Sequence, residues 1–198
     1  MKRRGTLTAI TLCIIVTLFS QGNKNEFFGN LSQAMQRVET FSGDFIQEKE
    51  FRELEVKVTS KGTFTYSKNT GIRFDYTSPR EMSMAADGKA VKITVDGKTT
   101  TYSLKAQNNA LTEMARIMGE CMQGKLYALN SQYNLLYKAS DEEYLITILY
   151  KKESPENAFE NIVLTFDSKN YALVKIEICE RSGYVTTYLF SLQKMVYL

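Results

Sequence analysis

The chain has 198 residues, with 25 Lys and Arg residues, 22 Asp and Glu residues and no histidine. Without histidine, a histidine general base, an imidazole metal ligand and a Ser-His-Asp triad are excluded. Hydrophobic residues at 43% and charged residues at 24% are typical of a globular protein with an ordinary core.

Residues 1–22 are predicted to be a cleaved secretory signal peptide. Basic residues at positions 2–4 precede an apolar run from Leu7 to Phe19, and Ser20-Gln21-Gly22 then offers small residues for cleavage. The run is too short to span the roughly 30 Å of a bilayer as a helix. The three basic residues leave with the signal, which brings the basic residues down to the number of acidic residues, 22. The remaining chain, residues 23–198, is predicted to be one domain, formally neutral and without the positive field that a nucleic-acid partner requires.

Two amphipathic helices are predicted. From Asn25 to Val38, and again from Asn109 to Gln123, apolar residues recur at the spacing of one helix face with polar residues between them. Helices of this kind bury their apolar face against another element.

Strand-like alternation dominates the rest of the chain. From Leu54 to Tyr66 every second side chain is large and apolar, small, or aromatic, and Gly71 to Thr77 continues the pattern. Asp87-Gly88 and Asp96-Gly97 are strong hairpin signals. Further strands are predicted at Tyr133–Ala139, Glu143–Lys151, Asn161–Asp167, Leu173–Glu180 and Tyr184–Met195.

These elements predict a mainly β (α+β) fold. An antiparallel sheet of about nine to eleven strands curls strongly because its twist accumulates from strand to strand. Two helices are too few to cover both faces of such a sheet. We therefore expect them to lie together against its concave, apolar face.

Motifs for catalysis or metal binding are missing. The sequence has no C-x-x-C pair and no H-E-x-x-H motif. Gly119 to Lys125 imitates a phosphate-binding loop, but Leu126 replaces the required Ser or Thr and the stretch ends a helix where such a loop begins one. We predict no catalytic residue, no metal and no cofactor, and hence a protein that is not an enzyme.

Two further features leave alternatives open. Cys121 and Cys179 either form a disulfide in an oxidising compartment or remain two small apolar residues. The methionines on apolar faces either fill an ordinary core or line an adaptable ligand cavity, since Met tolerates variable partners. These methionines are Met82, Met84, Met114, Met118 and Met122.

Four segments carry a family resemblance. In order they are Phe41-x-x-x-Phe45-Ile46-Gln47, Ser60-Lys61-Gly62-Thr63-Phe64-Thr65-Tyr66, Gly71-Ile72-Arg73-Phe74-Asp75-Tyr76-Thr77-Ser78-Pro79 and Asp87-Gly88-Lys89. After an N-terminal helix, this order resembles the periplasmic lipoprotein carriers of Gram-negative bacteria, the LolA family. The resemblance covers roughly residues 25–125 closely and the later strands by pattern.

The resemblance implies both a fold and a function. The fold is an incomplete β-barrel covered by an α-helical lid. The function is that of a periplasmic carrier, a chaperone in outer-membrane biogenesis that shuttles lipoproteins from the inner to the outer membrane with their acyl chains in an apolar cavity. The implied partners are acylated lipoproteins, an inner-membrane lipoprotein-releasing ABC transporter and an outer-membrane acceptor lipoprotein or another receptor. We expect a monomer without a nucleic-acid partner.

The resemblance also implies the site residues. The apolar cavity is expected to be lined by Phe45, Val56, Val58, Phe64, Tyr66, Ile72, Phe74, Tyr76, Met84, Leu111, Met114 and Met118. Relatives have an Arg-Pro pair in the turn before the aromatic strand, where this chain has Lys68-Asn69. Lys68 is therefore the expected partner-transfer residue, with a point charge in place of a bidentate guanidinium.

Two alternative functions remain. The same cavity would serve a carrier of another lipid or a glycolipid. The same fold would also serve an envelope-stress sensor or interaction domain that binds a partner protein.

Overall fold

The computed structural model describes residues 23–105 and 109–197. The predicted signal peptide lies outside the described residues. Within them, no helix is long and apolar enough to cross a membrane.

The described chain contains two α-helices and eleven strands. Helix α1 covers residues 23–36 and helix α2 covers Ala110–Met122. Short 3-10 helices occur at Arg52–Leu54 and Leu126–Ser131. The strands are β1 Val38–Phe51, β2 Val56–Ser67, β3 Gly71–Ser78, β4 Met82–Ala86, β5 Ala90–Val95, β6 Lys98–Ser103, β7 Tyr133–Ala139, β8 Glu143–Tyr150, β9 Phe159–Asp167, β10 Leu173–Glu180 and β11 Tyr184–Tyr197.

All eleven strands form one antiparallel sheet in the order β6-β5-β4-β3-β2-β1-β11-β10-β9-β8-β7. Each half of the chain is a meander, and the two meanders join where β1 pairs with β11 along almost their whole length. Strands β6 and β7 are the two edges, so the sheet does not close into a barrel. Helix α2 follows β6 and precedes β7 in the chain, so it connects the two edges.

The register shows which side chains share the concave face. Phe45 of β1 lies opposite Gly62 of β2 and Phe190 of β11, and Gly62 lies opposite Tyr76 of β3. Directly opposed residues point to the same face of a sheet. The buried faces of α1 and α2 belong to the same hydrophobic cluster as this row of side chains. The predicted fold, a curved open sheet covered by two helices, is confirmed.

Most predicted elements agree closely with the structure. Tyr133–Ala139 and Leu173–Glu180 have the predicted bounds, and Asn109 and Gln123 are the caps of α2. Helix α1 ends at residue 36, so Val38 belongs to β1 and not to the helix. The bounds of β4 and β6 were not predicted, because these strands have only five and six residues and are built largely from Ala, Ser, Met and Thr.

One prediction about the concave face requires correction. Leu54 lies in a 3-10 turn and is 67% exposed, while Val56 and Val58 are 51% and 49% exposed. Val56 and Val58 share the face of Phe64 by alternation, but they occupy the far end of the β1–β2 hairpin. Among the described residues, nothing covers this end, so these two valines do not line an enclosed interior.

Candidate functional site

Aromatic rings fill the centre of the concave face. Phe45 packs edge-on against Phe74 at 5.1 Å and Tyr76 at 4.8 Å between ring centroids. Phe64 packs edge-on against Phe190 at 5.1 Å. Edge-to-face geometry is the arrangement that aromatic quadrupoles favour. The centre of the sheet is thus a well-packed aromatic layer.

Helix α2 closes over this layer almost without a gap. Its buried residues include Met114, Ile117, Met118 and Met122. A void between α2 and strands β3 to β5 measures about 10 Å³, roughly the space of one water molecule. Met side chains adapt to irregular surfaces, which accounts for the small void. In this conformation the described residues leave no room for an acyl chain between α2 and strands β3 to β5.

A larger cavity, which we call the mouth cavity, lies at the N-terminal end of α2 and has a volume of about 250 Å³. Its apolar wall consists of Ala110, Leu111, Met114 and Ile178. Its polar wall consists of Gln47, Lys49, Glu180, Thr186 and Tyr188. The Lys49 side chain is 43% exposed, so the cavity reaches solvent.

Hydrogen bonds connect the polar wall. Lys49 Nζ donates to Glu180 Oε1 at 3.2 Å, and Thr186 Oγ1 donates to the same oxygen at 3.3 Å. Gln47 Nε2 donates to the Tyr188 hydroxyl at 3.0 Å. Burial, with a contribution from neighbouring Tyr76, raises the pKa of Tyr188 well above its ordinary value. Tyr188 therefore stays a neutral hydroxyl at physiological pH.

A buried carboxylate attaches α2 to strands β7 and β8, at the β7 edge of the sheet. Glu113 of α2 accepts hydrogen bonds from the hydroxyls of Tyr133 and Tyr150, the latter at 2.5 Å. Arg116 Nη2 lies 3.1 Å from Glu113 Oε1, and its guanidinium sits 5.5 Å from the centre of the Tyr133 ring. Burial and the bonds to Glu113 raise the pKa of both tyrosines. We call Glu113, Arg116, Tyr133 and Tyr150 the latch.

Lys68, the predicted partner-transfer residue, lies in the exposed turn between β2 and β3. Its Nζ donates to the backbone oxygen of Gln36 at 2.9 Å, at the C-terminal end of α1, where carbonyl groups lack partners within the helix and a positive charge is favourable. Lys68 also lines a second cavity of about 260 Å³ at the C-terminal end of α2. In this conformation the Lys68 ammonium ties the turn to α1.

The structure brings nine of the predicted cavity residues into one buried cluster. They are Phe45, Phe64, Tyr66, Ile72, Phe74, Tyr76, Met84, Met114 and Met118. Leu111 is half-buried and lines the mouth cavity. Val56 and Val58 lie apart from this cluster at the hairpin end.

Sequence reasoning missed the polar residues of both the mouth cavity and the latch. A signal for the latch was present, since Glu113 stands four residues before Ile117 on the apolar face of α2, where a charge is out of pattern. Gln47 and Lys49 similarly continue the alternating row of Phe41 and Phe45. The partners of Gln47 and Lys49 come from strands that are distant in the sequence, so the roles of these two residues could not be predicted from the sequence.

Both cysteines of the described residues lie in regular elements. Cys121 is buried in α2 and Cys179 is half-buried in β10, and no disulfide joins them. Within the described residues, no group of three or more Cys, Asp or Glu side chains is arranged to hold a metal ion.

Comparison with solved structures gives similar folds at low sequence identity. An uncharacterized conserved protein from Thermus thermophilus has a TM-score of 0.52 at 8% identity, with 89% of each chain covered. A LolA superfamily protein from Nitrosomonas europaea has a TM-score of 0.40 at 11% identity, with 82% of this chain and 90% of that chain covered. The Pseudomonas aeruginosa MucA/MucB complex gives 0.40 at 16% identity, with 85% and 56% covered.

Sequence comparison supplies the family. No curated protein sequence matches the chain. The family model described as "Outer membrane lipoprotein carrier protein LolA" matches residues 36–197, which include every strand of the sheet. The chain therefore belongs to the LolA family, a family of binding and carrier proteins.

Proposed function

We propose that this protein is a periplasmic carrier that binds the acyl chains of lipoproteins on the concave face of its sheet and shuttles them from the inner to the outer membrane. The observation that carries the proposal is the apolar centre of the concave face, which is covered by a helix that is connected to the sheet edges. The proposed partners are acylated lipoproteins, a lipoprotein-releasing ABC transporter and an outer-membrane acceptor or other receptor.

The energetics favour a lid that moves. An acyl chain of about 15 methylenes costs about 12 kcal/mol to expose to water. The void under α2 is about 10 Å³, so cargo must displace α2 or part of its side chains. Displacing α2 exposes apolar surface on the helix and on the sheet, and the acyl chain then covers that surface. The cost of exposing this surface and the gain from covering it oppose each other, which suits a carrier that must also release its cargo.

Lys68 fits the proposed transfer step. Its ammonium group binds the end of α1 and is exposed, so a partner with an acceptor group competes directly for it. We propose that partner contact at Lys68 loosens α1 during transfer.

Displacement of the uncharged, environment-sensitive probe N-phenylnaphthylamine by a triacylated lipopeptide tests the proposal. We expect displacement at micromolar lipopeptide and none by the same peptide without acyl chains. Leu111→Glu places a charge in the half-buried wall of the mouth cavity and should weaken lipopeptide binding at least about tenfold. Leu136→Glu is the matched control, because Leu136 is 54% exposed on β7.

A folded protein that binds no lipid would contradict the carrier proposal. That result would favour the second candidate, an interaction domain whose helices permanently fill its own concave face. The nearly complete packing under α2 is the observation that supports this second candidate function. If the protein binds free lipids but does not bind the lipopeptide, a carrier of another lipid or of a glycolipid is favoured instead.

A further inference from the structure

The concave face changes from apolar to polar at one level of the sheet. Along β1 the inward row runs from Phe41 and Phe45 to Gln47 and Lys49, and along β11 Tyr188 and Thr186 lie directly opposite these two polar residues. Both strands therefore become polar where the sheet passes the N-terminal end of α2. A lipid tail that lies under α2 leaves its polar end at this level.

We propose that the mouth cavity binds the uncharged polar end of the carried lipid, an ester or amide next to the acyl chain, and that Glu180 makes the site reject anionic lipids. This inference rests on the proposed carrier function and names the class of lipid end that the same site accepts.

The donors and acceptors of the cavity support a neutral partner. Lys49 has three N–H donors, and the bond to Glu180 engages one of them. Glu180 accepts from Lys49 and Thr186 at one oxygen and from Ser182 at the other, at 3.1 Å. An ester or amide carbonyl takes a remaining Lys49 donor without breaking these bonds. Hydroxyl or N–H groups find acceptors on Glu180 and Tyr188.

Charge supports the same selection. Among the described residues that line the mouth cavity, Lys49 and Glu180 are the charged ones, so the formal charge of this described lining is zero. A carboxylate or phosphate placed near Lys49 also lies near the Glu180 carboxylate, and like charges at close range in a partly buried site repel. The apolar wall of Leu111, Met114 and Ile178 gives the adjoining part of the lipid a dry surface.

The experiment compares two lipids that share one acyl chain, palmitate and its glycerol monoester, at pH 8, where palmitate is ionised. Each lipid displaces the uncharged probe N-phenylnaphthylamine. We expect the wild-type protein to bind the monoester about tenfold more tightly, a typical discrimination for one charged contact. Glu180→Gln keeps the size of the side chain and should remove or invert this preference by strengthening palmitate binding.

Two variants make the test specific. Glu177→Gln is the matched control, because Glu177 lies on the same strand in an ion pair with Lys175 at 3.0 Å but outside the mouth cavity. It should keep the wild-type preference. Lys49→Gln, at a half-exposed position, should widen the preference because it leaves the Glu180 charge without its cation.

The possible results separate the inference from the carrier function. A preference that shrinks with Glu180→Gln and widens with Lys49→Gln supports the inference. Equal binding of the two lipids by wild-type protein, or an unchanged ratio in both variants, overturns the inference while the carrier function stands. Displacement of the probe by neither lipid contradicts the proposed carrier function itself.

Discussion

Glu113 is the residue that couples the lid to the sheet. It is 5% exposed on the apolar face of α2, and its two oxygens accept hydrogen bonds from tyrosines of β7 and β8. A buried carboxylate is costly unless such bonds compensate it. The latch therefore holds α2 by directional bonds, which break together when the helix leaves.

Glu113→Gln should loosen the lid. Glutamine has one acceptor oxygen in place of two, so one tyrosine loses its bond, at a cost of about 1–3 kcal/mol. We expect maleimide labelling of the buried Cys121 thiol to accelerate at least about fivefold, measured residue by residue by mass spectrometry. Half-buried Cys179 serves as the internal reference, and Glu120→Gln on the same helix is the matched control. Equal labelling of Cys121 in both variants and wild type would show that the latch does not hold α2.

Cys121 also makes stability depend on pH. Burial raises the pKa of its thiol from 9.0 to about 12. The folded thiol keeps its proton where the unfolded thiol loses it, so this contribution is fully present below pH 9 and is lost as the pH rises toward 12. Cys121→Ala should show a shallower fall of the urea midpoint over this pH window. Parallel curves for the two proteins would contradict the assignment, since the buried tyrosines are common to both.

At the scale of elements, glycines permit the close strand pairing at the centre of the sheet. A Cβ at Gly62 in β2 would overlap the backbone oxygen of Asp75 in β3 and lie 2.9 Å from a ring carbon of Phe45. Gly62 also follows a register shift between β2 and β3. A side chain at this position would push β3 and the aromatic layer apart.

Gly62→Ala should therefore lower the free energy of unfolding by about 1–3 kcal/mol, the usual cost of overpacking. Gly29→Ala is the contrasting variant, because Gly29 is an exposed residue of α1 with open space around its Cβ position. It should raise the free energy of unfolding by up to about 1 kcal/mol through helix propensity. Urea titration measures both changes. An equal effect of the two substitutions would mean that the close approach of β2 and β3 relaxes freely.

At the scale of the whole molecule, the strands of the sheet pair with one another, whereas helix α2 is held on the sheet in a way that allows it to detach. Strands β1 and β11 form the centre, each with a pairing partner on both sides. Helix α2 is attached to the sheet by side chains, namely its apolar face and the latch. This division lets one element move while the sheet keeps its register.

Amide hydrogen exchange should show that cargo binding moves helix α2 and leaves the sheet unchanged. Because the interior lacks space, saturating triacylated lipopeptide should accelerate amide exchange in Ala110–Met122 at least about tenfold while β1 and β11 stay unchanged. The non-acylated peptide is the control and should change neither region. Slower exchange in α2 with the lipopeptide would mean that cargo binds outside the closed interior.

The fold was largely predictable because its signals are local and repeated. Alternation from Gly62 to Tyr66 and the helical spacing from Asn109 to Gln123 each indicate a buried face within a short window, and the Asp-Gly pairs indicate the turns. Burial of Phe45, Phe64 and Phe74 followed from the same patterns. Short strands without apolar alternation, such as Lys98–Ser103, carry no such signal, and their bounds were missed.

By itself, the sequence determined the class of fold, the apolar concave face and the family resemblance, because periodicity and turn residues depend on neighbours along the chain. Tertiary structure alone decided how far the helices reach, which leaves Val56 and Val58 exposed, and how completely α2 fills the interior. It also decided that Glu113 meets Tyr133 and Tyr150 and that Lys49 meets Glu180. These pairs join residues that are far apart in the chain, and only the packing of the whole sheet brings them within hydrogen-bonding distance.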